Sequence, residues 1–413
     1  MPAPAATGVA RTSAHWLTFQ NLVVLAPLLV FFGIAIGLIA TTSFPAPDEL
    51  EHVSYAAHLR EAGTILPEFG SQKTLSPTDL EQWDTRPNYI GHPSAYYLFI
   101  GNFLDRSLAP ERAVLLPRLA SLGLLSAGLM LALVTGVRSF EQDRMALAVF
   151  CIGLLLCPEI LSITKQVTND SLAVLGGALA YWGAGAQDRL RWRSSVGVAM
   201  GLVCALWAKP NAGLEIGVFL AALLALRGAG HIGLLAPAVA GSLIGSLPYL
   251  LIVRDYGAVV PVTAEGVWEV RHMADFKEYV PVFFSNIGYT WGLLKTGVWP
   301  ITTNAGILTV AAFWAMMGCA AAGAWPTRRY LLDPRATMAA AGVIAFVLVL
   351  PIHLWFASAK LGYSIPAASF RYYLPLWPAL IHALAWAVLT APKPWHLALV
   401  ISTASAALGL GLI

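Results

Sequence analysis

Along most of its length the chain repeats one pattern, an apolar run followed by a short polar turn. The runs cover Leu22 to Thr41, Ala113 to Val137, Met145 to Cys157, Ser171 to Ala186, Ser195 to Ala208, Asn211 to Leu226, Ile232 to Val253, Asn304 to Ala324, Thr337 to Phe356, Tyr372 to Thr390 and Trp395 to Ile413. A membrane span needs about 20 apolar residues. The pattern therefore predicts an all-α, multi-pass transmembrane helical bundle of about eleven spans, several of them short. The first run outlasts the roughly 7–15 residues of a signal-peptide core and has no small-residue cleavage site after it, so it reads as a retained helix. Two stretches, 44–112 and 254–303, break the rhythm and form long loops. Each holds one apolar segment: His92 to Asp105 is too short to span, and counting Val282 to Trp299 as a span would invert the loop that follows. Both are expected to be interfacial or re-entrant helices. Trp268, Phe276, Tyr279, Phe283, Tyr289, Trp291 and Trp299 are expected to form an aromatic belt at the membrane boundary.

Composition agrees with this picture. Of the 413 residues, 58% are apolar and 11% charged, with a mean hydropathy of +0.69. Soluble domains carry about 25% charged residues, so a soluble protein and a disordered one are both excluded. A net charge of +3, with no basic cluster beyond Arg189, Arg191 and Arg193, gives no reason to expect a nucleic-acid partner. Charge does fix an expected orientation. Arg11, Arg138, Arg144, the Arg189 to Arg193 cluster, Arg227, Arg328, Arg329, Arg335 and Lys393 all fall on one side, which the positive-inside rule assigns to the cytoplasm. Residues 1–21 then form a cytoplasmic tail and 22–413 one transmembrane domain, with both long loops on the outer, acidic face. The four cysteines, Cys151, Cys157, Cys204 and Cys319, lie in apolar runs and read as small core residues.

The loop 44–112 is the catalytic candidate. It opens FPAPDELEHVSYAAHLREAG, and a helix starting after Pro47 puts Asp48 and His52 one turn apart, with Leu50, Val53 and Ala57 as an apolar stripe that can lie on the membrane. Two readings of Asp48 stand. It is either an N-cap, with Glu51 closing a capping box, or a general base held where a lipid-borne and a water-borne substrate can meet. Arg86, Asn88, Tyr89, Gly91, His92 and Pro93 follow in the same loop. Further along, the hairpin Pro158 to Asp170 carries Lys165 and Asp170, and Asn169 or Asp170 can equally cap the next helix. Lys209 and Arg371, at span ends, either snorkel to headgroups or converge on an anionic lipid phosphate. Glu49 to His52 and Glu269 to His272 are both Glu-x-x-His. Because both lie in loops rather than in a bundle core, no metal site is expected. The middle of the spans carries no Asp, Glu, Lys or Arg, unlike ion-coupled transporters. Arg118 and Glu215 sit near span ends, and His353, His382 and His396 are the remaining ionisable residues within spans.

These residues resemble the GT-C superfamily of membrane glycosyltransferases, especially its protein O-mannosyltransferase and aminoarabinose-transferase-like branches. Asp48-Glu49 is similar to their Asp-Glu motif, and Gly91-His92-Pro93 to a His-Pro-Pro element in which Ser94 replaces the second proline. Arg118-Leu119-Ala120-Ser121 resembles their Arg-Leu-x-Ser span start, and Pro158 to Asp170 their second acidic loop. Leu206 to Pro210 (LWAKP) and Arg371 to Pro375 (RYYLP) are similar to recurrent Lys-Pro and Arg-Tyr-x-x-Pro elements. Members with a soluble C-terminal domain run well beyond the last span, whereas this chain stops at Ile413, so acceptor recognition by such a domain is not expected. The resemblance implies an inverting, metal-free transferase without a cofactor, in a bacterial cytoplasmic membrane. It would move a sugar from a polyprenyl-phosphate donor to a glycan, lipid or protein acceptor at the outer face. Asp48, Glu49 and Asp170 would be catalytic; His52, Arg86, His92, Lys165, Lys209, Arg371 and Tyr372 would bind substrate or lipid phosphate. A lipid or glycan transporter and a non-catalytic, lipid-phosphate-binding scaffold are the alternatives.

Overall fold

A computed structural model of the chain describes residues 10–185, 191–227, 232–261, 275–292, 304–324, 333–365 and 367–390. Ten of the eleven apolar runs are helical there, and the eleventh, Trp395 to Ile413, lies outside the described residues. Eight helices among the described residues are long and apolar enough to cross a membrane. In chain order the elements are α1 (Ala10–Thr41), α2 (Glu49–Ala62), β1 (Lys73–Leu75), β2 (Trp83–Pro87), α3 (Ala95–Gly101), α4 (Pro110–Ala113), α5 (Leu115–Phe140), α6 (Arg144–Leu155), α7 (Pro158–Thr164) and α8 (Asp170–Gly185). After these come α9 (Arg191–Ala208), α10 (Pro210–Arg227), α11 (Leu235–Tyr256), α12 (Phe276–Gly292), α13 (Asn304–Ala324), α14 (Pro334–Ala359), a 3-10 turn over Phe370–Leu376 and α15 (Trp377–Thr390). The chain is thus an all-α, multi-pass membrane protein in which, among the described residues, the strands form one short antiparallel pair, Leu75 facing Trp83. The described spans number eight rather than eleven because the last run lies outside the described residues, α8 has only 16 residues and α9 is apolar only over Trp192–Ala208.

Small residues set the tightest contacts. α8 and α9 approach each other through Gly176, Gly183, Gly197 and Gly201, where a Cβ on Gly176 would stand 2.6 Å from the Ala205 amide nitrogen. Such close approach is how helices associate where lipid removes the hydrophobic drive between them. On its other side α8 lies directly against the 3-10 turn, and any Cβ on Gly177 would overlap the Pro375 carbonyl. That contact fixes how far the turn carrying Arg371 stands from the start of α8, where Asp170 sits. Gly177→Val is expected to force the two apart, lowering the folded fraction after detergent extraction; an unchanged size-exclusion profile and melting curve would count against this.

Two expectations about the long loops need correction. α2 does not lie on the membrane by an apolar stripe. It is buried nearly all round, with Glu49, Glu51, His52, Ser54 and Tyr55 inside as well as Leu50 and Val53, because 44–112 folds over it as a compact unit with its own core. That core includes Tyr55, Leu59, Leu75, Ile90, Tyr96, Tyr97 and Ile100 and reaches Tyr249 and Ile252 of α11. In the same unit α3 is two-faced, with Tyr96, Tyr97 and Ile100 buried while Leu98 and Phe99 face outward. Nor do the aromatics of 254–303 all lie in a belt: Tyr279, Phe283 and Trp291 are buried in the bundle core, whereas Phe276 is exposed and Tyr289 half-buried, and Trp268 and Trp299 lie outside the described residues. α12 is a bundle helix because its partners are aromatic too, with Phe283 against His353 and Trp291 against Phe313.

Two histidines inside the bundle are paired. His382 meets Tyr181 Oη at 2.6 Å and the Arg335 carbonyl at 3.1 Å, and His353 meets Tyr373 Oη at 2.6 Å. His396 lies outside the described residues. Arg335 also reaches the Ser139 carbonyl, and Arg227 that of Pro334, so the loops carrying these arginines meet at one end of the bundle.

Candidate active site

At the opposite end, five elements bring their ionisable residues together. Asp48 immediately precedes α2 and takes a left-handed conformation (φ 62°), which Asp tolerates better than most residues. Its side chain makes no capping bond, so the N-cap reading fails. Instead Oδ1 accepts the Tyr89 hydroxyl at 2.6 Å and Oδ2 accepts Arg371 Nη1 at 3.1 Å. Arg371 Nε lies 3.0 Å from Asp170 Oδ2, and Lys209 Nζ bonds Asp170 Oδ1. Thr168 Oγ1 donates to Asp170 Oδ2 at 2.9 Å. The result is a line of alternating charge, Asp48, Arg371, Asp170, Lys209, each member offsetting the next.

Exposure grades along this line. Asp170 and Lys209 are closed off, with side chains 1% and 3% exposed, whereas Arg371 is 20% and Asp48 39% exposed. Burial by itself would raise the Asp48 carboxyl, but Arg371, the Tyr89 hydrogen bond and nearby His52 outweigh it and hold it below its ordinary value. Asp48 is therefore an ionised carboxylate that is open to solvent. Burial pushes His52 down to about 4 and His92 to about 3, so both are neutral imidazoles at physiological pH. His52 Nδ1 meets Tyr97 Oη at 2.9 Å, and the His92 carbonyl accepts from Tyr55. Both histidines feel the charges of Arg371, Asp170 and Lys209, which places them beside the line; His92 Nδ1 is buried without a hydrogen-bond partner.

Glu49 points the other way. Oε1 accepts Arg118 Nε at 2.8 Å and the Val167 amide at 3.0 Å, while Oε2 accepts Arg118 Nη2 at 2.6 Å and the Ala46 amide at 3.0 Å. With both oxygens doubly bonded and the residue fully buried, it ties the start of α2 to α5 and to the α7–α8 connection. Arg118 also holds the carbonyls of Thr42 and Ser43 at the end of α1.

The other candidates divide. The Tyr372 ring lies 5.0 Å from Lys209 Nζ, a cation–π contact inside the cluster. Lys165 stands near Glu159, whose charge opposes the lowering that burial causes at Lys165. Arg86 belongs to the 44–112 unit, with Nη2 3.3 Å from Glu51 Oε1 and Nε donating to Thr74. The 3-10 turn that presents Arg371 and Tyr372 is braced on several sides. Thr290 accepts the Phe370 amide at 2.8 Å, Asn286 donates to the Ala368 carbonyl at 2.7 Å, and Asn211 donates to the Tyr372 carbonyl at 3.3 Å.

Several contributors were not candidates in the sequence. Tyr89 is one, although its place three residues before His92 in the polar loop was the available signal. Thr168 sits two before Asp170, the spacing at which a hydroxyl turns back on a neighbour. Glu159 and Glu215, both buried, lie within electrostatic reach of Lys209 and Asp170, and α7 and α10 put them there. Among the described residues no group of three or more His, Cys, Asp or Glu side chains stands together to hold a metal ion. Glu49 and His52 are taken by Arg118 and Tyr97, and Glu269 and His272 lie outside the described residues.

No protein-family model matches the chain, and no curated protein does. Among solved structures it is similar to ArnT from Cupriavidus metallidurans in the apo state, with a TM-score of 0.58 at 14% identity, over 93% of this chain and 62% of that one. It therefore spans less than two thirds of that protein's length. A structure of ArnT from the same organism bound to undecaprenyl phosphate matches with a TM-score of 0.44 at 13% identity, over 89% of this chain and 77% of that one. At such identity the first likeness is one of fold: the chain is a multi-pass membrane protein with the GT-C-like architecture that its motifs resemble.

Proposed function

We propose that the protein is an inverting glycosyltransferase that moves a sugar from a polyprenyl-phosphate donor to an acceptor hydroxyl at the outer face of a bacterial cytoplasmic membrane. The observation that carries this reading is the line from Asp48 to Lys209, with an accessible carboxylate at one end and two cations behind it. Inversion needs a base on the face of the sugar opposite the leaving group. Asp48 takes the acceptor proton as the acceptor oxygen attacks the anomeric carbon. The bond from that carbon to the phosphate oxygen breaks, and its electron pair stays on the phosphate. Arg371 offers a forked donor and Lys209 a point charge to the oxygens that gain charge, and preorganised donors of this kind are worth several kcal/mol. Asp170 holds both cations in place, while Glu49 acts at one remove by fixing the start of α2. His52 and His92, being neutral, contribute hydrogen bonds rather than charge, and Tyr372 steadies Lys209. No metal or cofactor enters this scheme, and the acceptor is a glycan, lipid or protein hydroxyl.

Transfer from a defined polyprenyl-phosphate sugar in proteoliposomes tests this reading. A covalent product, lost in Lys209→Met, is expected. Flux of the labelled lipid without product would favour a transporter, and lipid binding without turnover over a panel of donors would favour a scaffold.

A further inference from the structure

The two oxygens of Asp48 have different neighbours. Oδ1 accepts a neutral hydroxyl, that of Tyr89, at 2.6 Å; Oδ2 accepts a cation, Arg371, at 3.1 Å. Arg371 is shared, since its Nε is on Asp170. We propose that Tyr89 is the positioning residue of Asp48, and that Arg371 masks the reactive oxygen Oδ2 until the donor's phosphate draws the guanidinium away, so that the sugar donor binds before any acceptor is deprotonated. This inference rests on the transferase reading above.

The geometry favours opening at this bond. The Asp170 end of Arg371 is buried and closed by Lys209 and Thr168, while the Asp48 end is the exposed one. A phosphate entering from that side meets a planar fork with five N–H donors, and Arg pairs with phosphate in the same bidentate way as with carboxylate. Its attraction for Arg371 grows as the sugar–phosphate bond breaks and the leaving group gains a second negative charge. Once released, Oδ2 has a free lone pair for the acceptor proton, and the proton later passes to water. Tyr89 does not compete for phosphate in this way, because it is a single neutral donor already committed to Oδ1. The other groups facing Asp48 are Glu51 and His52 from α2 and Tyr372 from the 3-10 turn, with Asp170 and Lys209 behind Arg371. Of these only Arg371 is a cation bonded to Asp48.

The test follows the Asp48 carboxyl itself. The full chain in detergent, with its aspartates carbon-13 labelled, is titrated with no ligand, with inorganic phosphate and with undecaprenyl phosphate; the Asp48 signal is assigned by its loss in Asp48→Asn. Undecaprenyl phosphate is expected to raise the Asp48 midpoint by about 1–3 pH units, the size of the effect of one adjacent cation. Tyr89→Phe is expected to raise it with no ligand present. The same rise with inorganic phosphate would support the mask and make the phosphate group, not the lipid, its trigger. Saturable binding of undecaprenyl phosphate with an unmoved midpoint overturns the mask and leaves the transferase reading intact. Absence of binding overturns both, and an unmoved midpoint in Tyr89→Phe overturns the role of Tyr89. Kinetics give a second readout, because kcat/KM reports groups in the free enzyme and kcat those in the bound complex. In the free enzyme Asp48 is held low, so kcat/KM for the donor is retained as pH falls to below the ordinary carboxylate value. The acid limb of kcat is expected at higher pH, and coincident limbs would count against the mask.

Discussion

Asp48→Asn is expected to lower transfer by about 10²–10⁴-fold, the usual worth of a positioned general base, while binding of the lipid phosphate is retained. The substitution preserves shape and leaves an oxygen for Tyr89, but it removes the charge that holds Arg371 and the lone pair that takes the proton. Because the carboxylate competes with phosphate for Arg371, affinity for undecaprenyl phosphate should hold or rise in this variant. A purely structural role would have the opposite signature, with binding and turnover lost together. Measuring both on one preparation separates the two, and turnover at the wild-type rate would remove Asp48 from the mechanism.

The largest effect on stability is expected at Glu49 and Arg118, which serve no chemistry in this scheme. Their side chains are 0% and 3% exposed and share two hydrogen bonds. Glu49→Leu would leave a buried guanidinium without its counter-charge and free the Ala46 and Val167 amides, and removing one partner of such a pair costs roughly 3–5 kcal/mol. Replacing both residues by leucine should recover part of that loss, because no unpaired charge then remains in the interior. A double-mutant cycle read by thermal unfolding in detergent gives the coupling. Additive effects of the two single changes would show that the pair is not a unit. Glu49→Leu should also lower activity through displacement of Asp48, its chain neighbour, even where the folded fraction is restored.

These two residues also mark how far sequence reading reached. Asp48 and Glu49 are adjacent carboxylates in one motif, and nothing local distinguishes their roles. The difference lies in direction. The left-handed backbone at Asp48 turns its carboxylate toward Tyr89 and Arg371, whereas Glu49, the first helical residue, points inward to Arg118. Arg118 was legible as a charge near a span end but not as the partner of Glu49, since the two lie 69 positions apart. The same holds for α12, whose aromatic run fits a membrane belt equally well until Phe313 and His353 are placed beside it.

What the sequence determined by itself is the class of molecule. Apolar runs of span length can be stable only as helices in a bilayer, where each backbone polar group must be satisfied within its own segment. That is a local condition, and it is met or not met run by run. The sequence likewise concentrated the candidate chemistry, because charged residues are excluded from the middle of spans and collect at their ends. Which of these charges meet was decided only by the tertiary structure. Asp48 and Arg371 stand 323 positions apart, and they touch because α8 packs on the 3-10 turn through Gly177, because α12 braces that turn, and because α2 is buried under its own loop. Pairing between distant charges is a property of packing, and the order of residues along the chain carries no local signal for it.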